Sequence, residues 1–454
     1  MVAQNQPSIS VVIPTYNRAL LLEATLEALR KSRLPHGISF EVIVCDDGSS
    51  DETFEVIKRA VNYLDLRYFY QPHKGFRAGL ARNMGARLAK SDIILFLDSD
   101  VLVAPNLIEQ HLCLHADHMK TIVIGITHNC DDLEDGSKSL DYLHKLDQCS
   151  WESIIKRAYL TDRRVPILKS VEFQLQNMTA PWTLCWSNQF SVRKKFVLEA
   201  GGFDESFEGW GYEDLDLAYR LFKSGHKFKI AMNTVTLHLP HPKVQRTVAT
   251  VVENIRRIYE KDLTIKTELL NCFGTLDYSN SIDKFLKLVQ YKLTPDYESL
   301  WNDELKQEIR SNTAGLTYIM GCEDPWLPVW LDAKWVSHPD VQKVHRLKTV
   351  CPWIEIKCGL GVLTSRQSKT VDTVLITDFW RILHSEALIK MITEAQRISK
   401  QILLIETPEF DLPSSDLLTD LVSEDLSGFL KQKGFTTKLI INGSSSNVYK
   451  VTDN

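Results

Sequence analysis

The sequence predicts an α/β protein, a mainly parallel sheet with helices on both faces, followed by a second and smaller α/β region. Two observations predict it. Over the first 125 residues short apolar, β-branched runs alternate with amphipathic stretches of helical period, the pattern of strands covered by helices. Acidic and polar residues also stand directly behind several of these runs, where the loops of such a sheet gather and ligands bind.

The elements follow in order. Ile9–Ile13 (ISVVI) is a short β-branched strand and Ala19–Arg30 an amphipathic helix. Glu41–Cys45 (EVIVC) is a buried strand, and Asp51–Tyr63 reads as a helix with an acidic first turn. Leu66–Tyr70 is a third strand, Ala78–Ala89 a helix, and Ile93–Leu97 (IILFL) a fourth strand. Pro105–His115 and Ile122–Ile126 continue the alternation, whereas residues 128–185 carry charge and aromatics with no clear period. Order returns with QFSV after Trp186, a helix over Lys194–Ala200, a Gly-rich turn and a helix over Glu213–Ser224. Thr234–Leu237 is a short strand and Val244–Lys261 a long helix.

Composition narrows the function. The 454 residues are about three domains' worth of chain, and 44% hydrophobic with 24% charged residues is ordinary globular material. Fifty-three basic against 58 acidic residues give −5, which argues against a nucleic-acid partner held by a broad basic surface. No window approaches 18 uninterrupted apolar residues and the N-terminus does not read as a signal peptide. Nine scattered cysteines fit free thiols, so a cytoplasmic, unanchored protein is expected, with at most peripheral membrane contact.

Five constellations carry chemistry. Asp98-Ser99-Asp100 follows IILFL; along an extended chain alternate side chains share a face, so the two carboxylates are expected to point the same way at the strand's end and suit a hard cation, Mg²⁺ or Mn²⁺. A solvated acidic turn is the plainer alternative. Cys45-Asp46-Asp47-Gly48-Ser49 follows EVIVC; an aspartate there suits the N–H of a nucleobase, while Ser49, Ser50 or Asp51 equally suits a helix cap. Pro14-Thr15-Tyr16-Asn17-Arg18 follows ISVVI, with Pro14 ending the strand and Tyr16 offering a flat face to a base. FDESFEGWGYEDLDLAYRLF (203–222) concentrates acids around Trp210 and Gly211; Glu213, Asp214 and Asp216 there are either first-turn electrostatics or catalytic carboxylates. VTLHLPHP places His238 and His241 behind a strand.

The segments VVIPTYNR, VCDDGSSDET and GLARNMGARLAKSDIILFLDSD, in this order and spacing, resemble the nucleotide-sugar half of a family 2 glycosyltransferase of the GT-A fold. GGFDESFEGWGYEDLDLAYRL resembles the acceptor-side motif of galactosyltransferase-like and chondroitin-polymerase-like enzymes. The resemblance covers about residues 8–260. It implies that Tyr16 and Asp46 or Asp47 hold the base, with Pro14, Thr15 and Arg18 lining the pocket. Arg77 and Arg82 would lie near the diphosphate or the metal-binding carboxylates. Asp98 and Asp100, with Ser99 between them, would take the ribose and a divalent metal completed by His238, or His241 as fallback, which favours Mn²⁺ over Mg²⁺. Asp214 would deprotonate the acceptor hydroxyl with Glu213 positioning the acceptor, and Trp210, Gly211 and Trp186 would face the sugar.

The expected organisation is a GT-A glycosyltransferase domain at 1–265 (nucleotide-sugar half 8–126, acceptor half 127–265), a helical linker at 266–300, and a C-terminal α/β domain at 301–454. In that domain VDTVLIT, a helix to about Lys400 and QILLIET resemble the back half of a class I methyltransferase. The Gly-rich loop such a domain needs is missing: TYIMGCEDPW has one glycine. A degenerate domain with a packing, dimerising or acceptor-docking role is expected. The implied function is inverting transfer from a nucleoside-diphosphate sugar, expected to be UDP-linked, to a hydroxyl of a glycan or glycoconjugate. A sugar nucleotidyltransferase, a bifunctional glycosyltransferase/methyltransferase and a non-catalytic binding module are the alternatives. PTYNR lacks the Gly-rich phosphate loop of the first, and DSD, ED and His together exceed what pure binding requires.

Overall fold

The computed structural model describes residues 8–116, 118–129, 162–207, 209, 211–239, 241, 247–273, 275–313, 315–408 and 426–453. The chain divides into two compact units, Met1–Asn254 and Ile255–Asn454.

The first unit is built on an eight-stranded sheet. Its strands are β1 (Ile9–Thr15), β2 (Phe40–Asp46), β3 (Leu66–Tyr70), β4 (Ile93–Leu97), β5 (Val101–Val103), β6 (Thr121–Asn129), β7 (Gln189–Arg193) and β8 (Lys227–His238), in the order β3-β2-β1-β4-β7-β6-β8-β5. The first four are parallel; β7 runs antiparallel to both β4 and β6, and β5 antiparallel to β8. Val11, Val12, Ile13, Val42, Ile43 and Val44 are fully buried, as in strands covered on both faces. Among the described residues its helices include α1 (Ala19–Arg30), α2 (Thr53–Ala60), α3 (Ala78–Leu88), α4 (Leu107–His115), α5 (Val165–Ser170), α6 (Lys194–Glu199) and α7 (Glu213–Lys223).

Helix α3 lies very close to the sheet. A Cβ at Gly85 would stand 2.3 Å from a Val12 methyl, so only glycine permits this approach, and the approach fixes where Arg82 points.

Several boundaries differ from the expected ones, and three of them have a local reason. β1 continues through Pro14 to Thr15, because the register pairs Pro14 with Cys45 and Thr15 with Asp46. α2 starts at Thr53, because Asp51 accepts from the Thr53 N–H and hydroxyl and holds a turn ahead of it. β8 begins at Lys227, not Thr234, since its first half pairs with β6.

The second unit carries a seven-stranded sheet: β9 (Thr317–Met320), β10 (Trp335–His338), β11 (Glu355–Cys358), β12 (Val371–Ile376), β13 (Ser399–Glu406), β14 (Phe435–Asn442) and β15 (Asn447–Asp453). The order β11-β10-β9-β12-β13-β15-β14 is parallel from β11 to β13 and antiparallel beyond. It reverses between β9 and β12, where an open α/β sheet forms its ligand crevice.

In this unit that crevice is filled from within. A Cβ at Gly321, behind β9, would lie 2.3 Å from the Phe379 Cβ. Asp378, fully buried behind β12, accepts from the Tyr297 hydroxyl at 2.8 Å and from the Thr407 N–H and hydroxyl, both at 2.8 Å. Glu323 is held by Lys343 (2.9 Å) and His338 (3.1 Å). Behind β11 the backbone N–H groups of Leu360, Gly361 and Val362 close on Glu268 at 2.6–2.9 Å.

Candidate active site

In the first unit the parallel register aligns the carboxyl ends of β1, β2 and β3 at Thr15, Asp46 and Tyr70. The loops behind them are tied together: Ser49 Oγ accepts from the Asn17 N–H and Asn17 Oδ1 from the Ser50 N–H, both at 2.8 Å. Tyr16 is 41% exposed and its ring stacks on His73, with centroids 4.0 Å apart and planes 7° apart. His73 is held by Nδ1, 3.0 Å from the Asp47 carbonyl. The pair forms a flat aromatic platform at the strand ends.

The two aspartates of β2's end have different duties. Asp46 accepts from the Ser49 N–H (2.8 Å), the Ser49 hydroxyl (2.7 Å) and the Tyr68 hydroxyl (2.6 Å), so its carboxylate shapes the turn. Asp47 accepts from Gln71 (2.7 Å) and from the guanidinium (2.6 Å) and N–H (3.2 Å) of Arg77. Arg77 is therefore anchored on Asp47. Thr15 is buried with its hydroxyl unpartnered.

The Asp98-Ser99-Asp100 stretch is a turn joining β4 to β5, not extended chain. The alternation that would put both carboxylates on one face does not apply there, and they go to different partners. Asp98 takes Arg82 at 2.8 Å. Ser99 is buried and its carbonyl accepts from Thr25 at 3.0 Å. The pairing of Val101 with His238 brings Asp100 against β8: His238 Nε2 lies 3.5 Å and His241 Nε2 2.8 Å from its carboxylate oxygens. Burial pushes the Asp100 carboxyl up, but His238, His241 and the Arg18 charge hold it well below the ordinary carboxylate range. Arg18 is half-buried, its own affinity for a proton lowered by burial and supported by Asp100 and Asp98.

Asp100, His238 and His241 offer ligand atoms within 4.8 Å of one another. One Asp100 oxygen, Oδ1, is buried without a hydrogen bond. One carboxylate and two imidazoles can together ligate a divalent transition-metal ion, Mn²⁺ included, so the residues present fit the expected metal.

The acceptor-side motif sits at the N-terminus of α7. Tyr212 precedes the helix in a left-handed conformation (φ 77°), after Gly209 (φ 68°) and Gly211 (φ 100°). A tyrosine there is strained, and such strain gathers at functional sites. Glu213 is buried and pairs with Arg82 at 3.1 Å; burial, then the Asp214 charge, pushes its carboxyl up to about 7. Asp214 accepts from the Ser187 N–H (2.9 Å) and the Leu215 N–H (2.8 Å), and burial raises it too. Asp216 pairs with Arg220 at 2.6 Å, a structural role within the helix. Trp186, half-buried beside Ser187, lies over the Arg164 guanidinium at 4.7 Å. Trp210 lies outside the described residues.

The structure thus gathers Arg82, Asp98, Glu213 and Asp214 around one buried guanidinium, and Asp100 with both histidines. Arg77, Asp46 and Asp47 are engaged with one another's loops. His73 is not among the residues expected at the site, because in HKGFRAG the expected contact is Arg77 and nothing local ties His73 to Tyr16. Nor are Asp162 and Arg164, a fully buried pair at 2.6 Å in the segment without period, for which no local signal exists.

Residues 10–170 match the family model of glycosyl transferase family 2, and residues 170–242 that of the N-terminal domain of galactosyltransferase. A validoxylamine A glucosyltransferase of Streptomyces hygroscopicus subsp. jinggangensis is 34% identical over 58% of this chain and 63% of its own length. A hyaluronan synthase of Pasteurella multocida is 30% identical over 58% of this chain and 29% of its own. The chain spans less than two thirds of these curated relatives. Among solved structures, S. aureus TarS with UDP-GlcNAc aligns over 86% of this chain and 89% of its own, at 13% identity and a TM-score of 0.45.

Proposed function

We propose that this chain, which carries a family 2 glycosyl transferase domain continued by a galactosyltransferase-type domain, moves a sugar from a nucleoside-diphosphate sugar to a hydroxyl of a glycan or glycoconjugate. The observation that carries the reading is the meeting of two carboxylate sets through one residue: Arg82 touches Asp98 of the donor-side turn and Glu213 of the acceptor-side helix.

On this reading the base of the donor lies on the Tyr16–His73 platform, and Arg18 faces its diphosphate. Asp100, His238 and His241 would hold a divalent ion, whose chemistry there would be to offset charge on the departing diphosphate. Asp214 Oδ1 and Oδ2, oriented by the Leu215 and Ser187 amides, stand at the acceptor side as the proton acceptor, with raised basicity suited to the task. The deprotonated hydroxyl attacks the anomeric carbon from the face opposite the diphosphate, in one displacement with inversion. Trp186 offers a flat apolar surface to the acceptor ring. Bond formation to the acceptor oxygen and cleavage of the bond to the diphosphate occur together, and the proton ends on Asp214. The printed names of the relatives, a glucosyltransferase and a hyaluronan synthase, support sugar transfer, and the UDP-linked donor is part of the proposal.

The second unit, by the same reasoning, acts as a scaffold without a nucleoside ligand, since its crevice holds Phe379 and the partners of Asp378.

The experiment is turnover: the full chain with Mn²⁺ and a panel of UDP-, GDP-, dTDP- and ADP-sugars, with released nucleoside diphosphate as readout, with and without oligosaccharide acceptors. Release with one donor class supports the reading, and none with any donor overturns it.

A further inference from the structure

We propose that Arg82 is a positioning residue which braces the acceptor-side carboxylates against the donor-side turn, and is not a ligand of the diphosphate. The inference rests on the glycosyltransferase reading above.

Its burial and its two carboxylate partners leave little surface for a phosphate. The side chain is 5% exposed; Nη2 donates to Asp98 Oδ1 at 2.8 Å and Nη1 to Glu213 Oε1 at 3.1 Å. The guanidinium lies 5.5 Å from the Phe203 ring centroid. Glu213 Oε2 and Arg82 Nε are buried without a hydrogen bond, so Arg82 is the side chain that holds this carboxylate, alongside the backbone N–H of Glu213 itself; a buried charge stripped of its partner is costly.

The next residue completes the brace. Asn83 Nδ2 donates to the Phe203 carbonyl (2.8 Å) and to Glu205 (2.9 Å), and its Oδ1 accepts from the Phe203 N–H (2.8 Å). Gly202 has φ +74°, and a Cβ there would fall 2.3 Å from Asn83 Oδ1. Helix α3 therefore grips the loop that leads to α7 at two neighbouring residues, and Gly85 holds α3 on β1. The base at Asp214 follows Glu213 directly, so its placement relative to the donor depends on Arg82. A fork with two donors can span the two acids, whereas a lysine's single nitrogen cannot serve both in the same geometry.

The test compares the full-length wild type with Arg82→Lys. With the donor found active, kcat for transfer should fall about 100-fold, the cost of a misplaced reacting group. The donor KM, and the UDP affinity measured by calorimetry with Mn²⁺, should stay within about threefold. A UDP affinity weakened tenfold or more with kcat little changed would make Arg82 a diphosphate ligand and overturn the proposal. If Arg82→Lys does not fold, urea unfolding of Arg82→Met, Glu213→Gln and the double variant decides. Losses that are clearly less than additive support the brace, and additive losses refute it. Absence of turnover by the wild type would sink the glycosyltransferase reading alone, because the unfolding cycle still reports on the brace.

Discussion

Two sheets of related design occur in this chain, and their carboxyl ends have opposite fates. Behind β1, β4 and β8 the first unit presents Tyr16, Arg18, Asp98 and Asp100 around a group of titratable residues, with a buried carboxylate oxygen and a threonine hydroxyl that make no hydrogen bond. Behind β9, β11 and β12 the second unit answers its charges internally: Asp378 by Tyr297 and Thr407, Glu323 by Lys343, Glu268 by three amides of the 360–362 loop. The architecture sets where a ligand could go; whether the polar groups there remain available decides whether one does. Burial of satisfied polar groups rigidifies a fold, and a buried carboxylate oxygen without a hydrogen bond among groups able to ligate a metal, as at Asp100, calls for an ion as its partner.

The difference can be broken most sharply at Gly321. Its φ of +76° and the Phe379 Cβ, 2.3 Å from where a Cβ would stand, make Gly321→Ala both strained and overpacked. A loss of about 3 kcal/mol is expected, read as a lower unfolding midpoint in urea. Calorimetry should find no S-adenosylmethionine binding to the wild type. A tolerated alanine, or tight binding of that nucleoside, would mean that the crevice is open after all.

In the first unit, His241→Ala removes one of two imidazoles facing Asp100. Mn²⁺ affinity, titrated by calorimetry or by electron paramagnetic resonance of the free ion, should weaken about 100-fold, at the upper end of what removing even an outer partner of a metal ligand costs. Unchanged affinity would move the metal elsewhere.

A smaller effect concerns the wall of the same unit. His111 and His115, on α4, both face the Ser191 hydroxyl at 2.8 Å. His111 also meets Gln189, and His115 feels Arg193 and Lys229. Burial pushes His111 down to about 3 and His115 to about 4. Their folded-state values lie below the unfolded value near 6.5, so the unfolded chain binds more protons in acid. The stability they contribute is complete above pH 6.5 and is lost as the pH falls toward 4. The unfolding midpoint should therefore drop between pH 7.5 and 5, and His115→Gln should shrink that drop. An equal drop in the variant would assign acid sensitivity to other groups.

Much of this contrast was legible in sequence. ISVVI, EVIVC and IILFL announce their strands, and the acids behind them announce the site, because a fully buried parallel strand is apolar along its length and must place its chemistry at its end. The ED pair was legible for the same reason at a helix start. What escaped lies in tertiary pairing. Asp98 and Asp100 part because the chain turns between them, and His73 meets Tyr16 from a separate loop. Asp162 and Arg164 pair in a stretch without period. In the second unit TYIM, WVSH and EIKC are four-residue strands, too short for periodicity to separate from loop. The missing Gly-rich loop was visible, but the filling of the crevice by Phe379 was not, because β9 and β12 meet only in space.

The central claim is that the open crevice is a transfer site with Asp214 as its base, and Asp214→Asn tests it most directly. The amide keeps the size of the side chain but cannot accept the proton. Transfer should fall about 1,000-fold, while the affinity for the nucleoside diphosphate with Mn²⁺ stays close to that of the wild type. Retained transfer, or loss of nucleotide binding in its place, would contradict the account.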